Sequence, residues 1–236
     1  MRVITIVPLV ACTVLAAVPG GPAGACPPPA TVTVAADGRG DVTGVQEAVD
    51  VVPSGTSAPY TIRIRPGTYR GAVTVPEGKP PITFVGLGRD PSRVVVVDDR
   101  ANGTLRQDGT PYGTSGSATM TISANDVTVR NLTVANDFDE AAHPEITNRQ
   151  AVAVLTKGDR IVFDRVRFLG NQDTLYLNSP AVTTVSRVYL HRCYVEGDVD
   201  VIFGRATAVL DRCELHSLDR GSTTNNGYLT APSTAG

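Results

Sequence analysis

Short apolar runs of three to five residues, broken by Gly, Asn, Asp and Pro, set the rhythm of this chain. Thr61-Ile62-Arg63-Ile64, Ala72-Val73-Thr74-Val75, Ile82-Thr83-Phe84-Val85 and Val94–Val97 are rich in β-branched residues, which predicts strands. One helix is predicted, over Val45-Gln46-Glu47-Ala48-Val49-Asp50. Past residue 50 the helical period is nearly absent. That argues against βαβ units, which need a helix between parallel strands.

The second half of the chain repeats one pattern four times. The segments are Val129–Val134, Phe163–Phe168, Leu190–Val195 and Leu210–Leu215. Each reads apolar, polar, basic or amide, apolar, polar or aromatic, apolar. The third positions are Asn131, Arg165, Arg192 and Arg212, at intervals of 34, 27 and 20 residues. Short strands on an unequal period suit a solenoid whose coils carry insertions on one side. The expected fold is all-β, a right-handed parallel β-helix with a short N-terminal helix. A β-sandwich is the rival, but it would need hairpin turn signals at fixed offsets, and few are placed for that. Cys193 and Cys213 share one position in consecutive segments, so one coil of stacking brings them close. A disulfide and a pair of stacked core thiols both fit.

Composition narrows the class. The chain has 236 residues, 42% hydrophobic, 19% charged, with net charge −2 and no Trp. A sizeable core is affordable, and neither disorder nor a strongly basic nucleic-acid binder is expected. Met1-Arg2, an apolar run ending near Val18, and Ala23-Gly24-Ala25 read as a secretory signal peptide over 1–25. The run is short for a membrane span and is punctuated by Pro8 and Pro19. The mature chain, 26–236, is expected to be secreted and extracellular, and to be monomeric. A lipid anchor on Cys26 is the lesser alternative.

The usual hydrolase and metal signatures are absent. No Ser stands in G-x-S-x-G, and His143, His191 and His216 are not spaced as metal ligands. The unusual feature is a set of amides and acids beside apolar strands. Gln150 precedes Ala151–Val154, Gln172 and Asp173 lie in Gly170–Tyr176, and Asp198 and Asp200 lie in Glu196–Gly204. Gln150 to Gln172 is 22 residues, and Asp173 to Asp200 is 27, the step from Arg165 to Arg192. Each pair therefore falls one coil apart on one face. Two carboxylates about 5 Å apart split their proton affinities, as a nucleophile and a general acid require. Capping of turns, an internal ladder and a Ca²⁺ site are competing readings of the same acids. Alternation along the strand places Phe203 and Val201 on one face.

At these residues the sequence resembles the pectin methylesterase (pectinesterase) family, carbohydrate esterase class 8. The stretches that carry the likeness are Asp37-Gly38 through Val49, Ile64–Tyr69, Gly116–Thr119, Gln150–Val154, Gln172–Tyr176, Gly197–Gly204 and Gly227–Ser233. The resemblance runs from about residue 31 to the end and is that of an actinobacterial secreted member. It implies a parallel β-helix that hydrolyses methyl esters of homogalacturonan to carboxylate and methanol, with no metal or cofactor. By motif, Asp200 resembles the nucleophile and Asp173 the general acid/base. Gln172 resembles the oxyanion donor, with Gln150 shaping that site, and Phe203 resembles an aromatic that packs on a sugar ring. Family members continue past the Tyr-Leu-Thr-Ala-Pro-Ser segment into a Leu-Gly-Arg-Pro-Trp stretch, which this sequence lacks. The expectation is thus a chain incomplete at its C-terminus, aggregation-prone at its open end and weakly active. A non-catalytic pectin-binding β-helix and a Ca²⁺-dependent lyase-like enzyme are the alternatives.

Overall fold

A computed structural model describes residues 30–224 and 226–233. The expected signal peptide over 1–25 and Cys26 lie outside the described residues. Three parallel sheets make up the molecule. Sheet A contains Ala30–Val34, Tyr60–Ile64, Ile82–Gly86, Val127–Arg130, Ile161–Asp164, Arg187–His191 and Thr207–Asp211. Sheet B contains Gly67–Arg70, Val94–Asp98, Thr133–Asn136, Arg167–Leu169, Tyr194–Gly197 and Glu214–Ser217. Sheet C contains Val73–Val75, Met120–Ile122, Val154–Thr156, Leu175–Leu177, Ile202–Gly204 and Thr230–Pro232.

From Tyr60 onward the chain passes A, B, C and back to A in each coil, and each strand pairs with its counterpart one coil away; before that, Ala30–Val34 leads through the helix Val45–Val51 to the next strand of sheet A. This is the right-handed parallel β-helix expected, the hand following from the crossover rule for parallel strands. The helix Val45–Val51 packs Val45, Ala48 and Val49 against the first coil. Among the described residues, no helix is long and apolar enough to cross a membrane.

Identical positions stack into apolar ladders because the coils are in register. One runs Ile62, Phe84, Val129, Phe163, Leu190, Leu210 through sheet A. Another runs Tyr69, Val96, Val134, Phe168, Val195, Leu215 through sheet B. Phe163 and Phe168 meet edge to face inside, with centroids 5.1 Å apart.

The fourfold repeat proves to be a corner rather than a strand. Its first two residues end a strand of sheet A and its last two open a strand of sheet B. The third residue turns the chain in the left-handed region, with φ of 55° at Asn131, 53° at Arg165, 52° at Arg192 and 54° at Arg212. The first three corners are each locked to the next coil by the backbone: Asn131 N donates to Asp164 O, Arg165 N to His191 O and Arg192 N to Asp211 O, at 2.9–3.0 Å. The fourth residues point inward, so Leu132, Val166, Cys193 and Cys213 form one column. Both cysteines are free thiols in this structure. Burial pushes the Cys193 thiol up to about 12, which keeps it protonated and unreactive.

Candidate active site

The sequence-selected amides and acids converge where the chain enters sheet C. Leu175 pairs with Ile202 and Tyr176 with Phe203, which sets Asp173 in register with Asp200 on the next coil. The backbone confirms that register, for Asp173 N donates to Val199 O at 2.9 Å and Leu175 N to Val201 O at 2.8 Å. On the other side Ala151 N donates to Gln172 O at 3.1 Å, which sets Gln150 beside Gln172. Parallel rungs are about 4.8 Å apart, so these four residues fall on three neighbouring rungs, and the charge of Asp200 is felt at Asp173.

Both aspartates adopt left-handed backbone, with φ of 70° at Asp173 and 51° at Asp200. Such conformations cost about 1–2 kcal/mol at a residue with a side chain, and they recur at functional sites. Here they place both acids in the turns just ahead of the strands Leu175–Leu177 and Ile202–Gly204. Asp173 is buried and Asp200 partly exposed. Burial, then the charge of Asp200, then that of Asp198 raise the Asp173 carboxyl to about 7. Asp173 therefore carries its proton at mildly acidic pH and gives it up through about 7.

Neighbouring groups hold the turn tightly. The Thr174 hydroxyl donates to Glu196 O at 2.9 Å and Asn171 O at 3.2 Å. Asp198 N donates to Asn171 O at 3.1 Å. Gly197 is required there, because a Cβ would sit 2.5 Å from Thr174 Oγ1 and 2.7 Å from Asn171 O. Asp198, expected as a turn residue, accepts from Val199 N at 2.6 Å and lies 3.8 Å from Arg220. It is also buried, which lets its charge reach Asp173.

Two insertions build the wall upstream of the acids. Residues 99–119 and 137–153 meet where Asn102 N donates to Gln150 O and Gly103 N to Asn148 O, both at 2.8 Å. The buried Asn136 amide ties their bases together, donating to Arg100 O, Ser117 O and Val152 O. The Oε1 atom of Gln150 is buried with no hydrogen-bond partner.

Phe203 lies on the outer face of sheet C, and Val201 lies in the core. The expected shared face is not observed, because Val201 precedes the strand and Asp200 bends the chain beside it. Phe203 stacks on Tyr176 with centroids 4.1 Å apart and rings 16° from parallel. Leu155, Val152 and Ala118 complete this apolar outer patch. Tyr176 was not singled out from sequence, although its position 27 residues before Phe203 carried the signal. Of the histidines, His143 stacks on Phe138 and contacts Glu145, while His191 lies between Asp164 and Asp211 on the outside of sheet A. None joins the acids. Among the described residues, no group of three or more His, Cys, Asp or Glu side chains is arranged to hold a metal ion.

Residues 31–235 match the sequence profile of the Pectinesterase family. The pectinesterase of Ralstonia solanacearum is 36% identical over 219 residues, covering 87% of this chain and 55% of that protein. Pectinesterase B of Dickeya dadantii is 36% identical over 228 residues, covering 80% and 52%. Among solved structures, pectin methylesterase PemA from Erwinia chrysanthemi superposes with a TM-score of 0.75 at 34% identity, covering 87% of this chain and 60% of that one. Pectin methylesterase from carrot superposes with a TM-score of 0.68 at 34% identity, covering 81% and 54%. A pectin methylesterase solved in complex with a hexasaccharide gives a TM-score of 0.76. The chain spans about half the length of the curated relatives it matches. The family profile spans most of the chain and the coil architecture agrees with it: the chain belongs to the pectinesterase family.

Proposed function

We propose that this protein is a pectinesterase, hydrolysing methyl esters of homogalacturonan to free carboxylate and methanol. The observation that carries the reading is the stacked pair: Asp173, protonated up to about 7, one rung from Asp200. Asp200 attacks the ester carbonyl carbon through a carboxylate oxygen. The amides of Gln172 and Gln150 donate to the oxyanion of the tetrahedral intermediate. On collapse the carbon–methoxy bond breaks and the Asp173 proton passes to the departing oxygen, giving methanol. The galacturonyl group is left as a mixed anhydride on Asp200. Asp173, now ionised, takes a proton from water, whose oxygen attacks the galacturonyl carbonyl. The second collapse frees the Asp200 carboxylate and the galacturonic acid, which loses its proton to solvent, while Asp173 is again protonated. Phe203 and Tyr176 offer an apolar shelf for the sugar ring or its methyl ester. Homogalacturonan is the bound partner, and export by the N-terminal 25 residues belongs to the same reading.

The test is methanol release from highly methylated pectin with EDTA present. The parent should release methanol, and Asp200→Ala should lose it by on the order of 10³-fold or more. Methanol release abolished by EDTA, with an unsaturated uronide as product, would replace the reading with a lyase. Asp200 pairs with no cation among the described residues, which favours a second reading, pectin binding without turnover. Binding of pectin by a folded parent that yields no methanol would select it. N-terminal sequencing of protein from culture medium tests export, with Cys26 as the expected first residue.

A further inference from the structure

The corner between sheets A and B carries exposed arginines in five consecutive coils: Arg89 and Arg93, then Arg130, Arg165, Arg192 and Arg212. The last three stand at equivalent left-handed positions, and the backbone bonds between successive corners place them one above the other. Their spacing along the β-helix axis is thus about 4.8 Å. These six outnumber the aspartates on the same edge, Asp90, Asp164 and Asp211, in a chain whose net charge is −2. Those acids are engaged: Asp90 caps Ser92 N, Asp164 contacts His191, and Asp211 accepts from Tyr189 Oη. Arg165 and Arg212 approach Asp164 and Asp211 only at 3.9 Å, and Arg192 pairs with no acid among the described residues. Left-handed backbone is least strained for Gly or Asn, and Asn131 occupies the same position one coil earlier. Arg in three successive coils is therefore not what the corner itself asks for.

We propose that this edge is a docking strip for an extended polycarboxylate, de-esterified galacturonan, the product of the reaction proposed above. The identity of the polymer rests on that reading; the strip itself rests on the arginines. Guanidinium forks match carboxylates in a planar, two-bond geometry, and a line of them meets a polymer whose carboxylates also recur along a line. Sheet B separates the corner from the outer face of sheet C, so a chain held on the strip leaves Asp173 and Asp200 open to methylated pectin. The left-handed corner positions themselves carry only Asn and Arg, but Tyr194 lies two residues past Arg192, stacked on His216 and faced by Arg167, so single-stranded nucleic acid is the rival ligand that the experiment must separate.

The experiment compares the parent with Arg165→Asn/Arg192→Asn/Arg212→Asn, a variant whose corners Asn131 shows to be compatible with the fold. Binding to polygalacturonate is measured by affinity electrophoresis at low and high salt. Methanol release from a short methylated oligogalacturonide is measured alongside. The variant should bind polygalacturonate about tenfold more weakly, roughly twofold for each exposed guanidinium removed, and the difference should shrink at high salt. Its methanol release and melting temperature should match the parent's. Arg89→Gln/Arg130→Gln, which changes no left-handed residue, should weaken binding in the same direction. Unchanged affinity in both variants overturns the strip. So does single-stranded DNA bound by the parent as tightly as polygalacturonate. A parent that releases no methanol but loses polygalacturonate binding with its arginines would sink the esterase reading and leave the strip standing.

Discussion

Asp173 owes its chemistry to where one residue is put. An unfolded aspartate titrates near ~3.9, whereas burial and the charges of Asp200 and Asp198 hold the folded group to about 7. Between those values the native state binds the extra proton. Stability from this group is therefore full at acid pH and is lost as pH rises, levelling off above about 7. Asp173→Asn, permanently neutral, should remove that decline. It should be more stable than the parent by roughly a few kcal/mol near pH 8 and about equal near pH 4, as read from denaturant midpoints across pH. Equal stabilities at both ends would show that Asp173 titrates normally. In the reaction proposed above, the same proton sets the activity profile. Turnover should fall as pH rises through about 7, because the acid that delivers methanol's proton is lost. Gln172→Ala should lower kcat by about 10²–10³ with little change in KM, since its donors serve a charge present only in the intermediate. A change in KM alone would make Gln172 a ground-state contact.

At the level of elements, the corners and the close contacts between coils do what strand propensity cannot. The strands themselves were legible: Ile82–Val85 and Val94–Val97 fall inside the observed Ile82–Gly86 and Val94–Asp98. The fourfold repeat was legible too, but not its bend, because Arg is an unusual residue for left-handed backbone and gives no turn signal. Gly197 is the tightest example of contact between coils. Gly197→Ala should lower stability by about 1–3 kcal/mol, because its Cβ would press on Thr174 Oγ1 and Asn171 O. It should also lower activity by moving the turn that carries Asp173. A variant with parent-like melting and turnover would show that the coils can spread there. Phe163→Ala, in the core ladder, should cost about 3–5 kcal/mol without a selective effect on the site.

For the molecule as a whole, stability in a solenoid is passed between neighbouring coils. The first coil is covered by the helix Val45–Val51, and the middle coils are paired on both sides. Thr207–Asp211 and Glu214–Ser217 are each paired on one side only, and Val209 and Leu215 on them are exposed. Amide hydrogen exchange should therefore be fastest in those two strands and slowest in Ile161–Asp164 and Arg167–Leu169, with Tyr194–Gly197 between. Uniform protection along the axis would mean that the coils open as one unit.

From sequence come the order of the coils and the one-period spacing that puts Gln150 beside Gln172 and Asp173 beside Asp200. In a parallel solenoid each residue meets its counterpart one period away, so spacing along the chain maps directly onto neighbours in space. How deeply these side chains are buried is set by the packing of coils in three dimensions. The left-handed turns at Asp173 and Asp200 break the alternation that sequence reasoning relies on, which separates Val201 from Phe203 and joins Phe203 to Tyr176. The proton on Asp173 is likewise a tertiary property, since burial and two neighbouring charges belong to no local pattern. The same holds for the arginine edge, whose members are scattered through 124 residues of sequence, Arg89 to Arg212, and are aligned only by the winding of the coils.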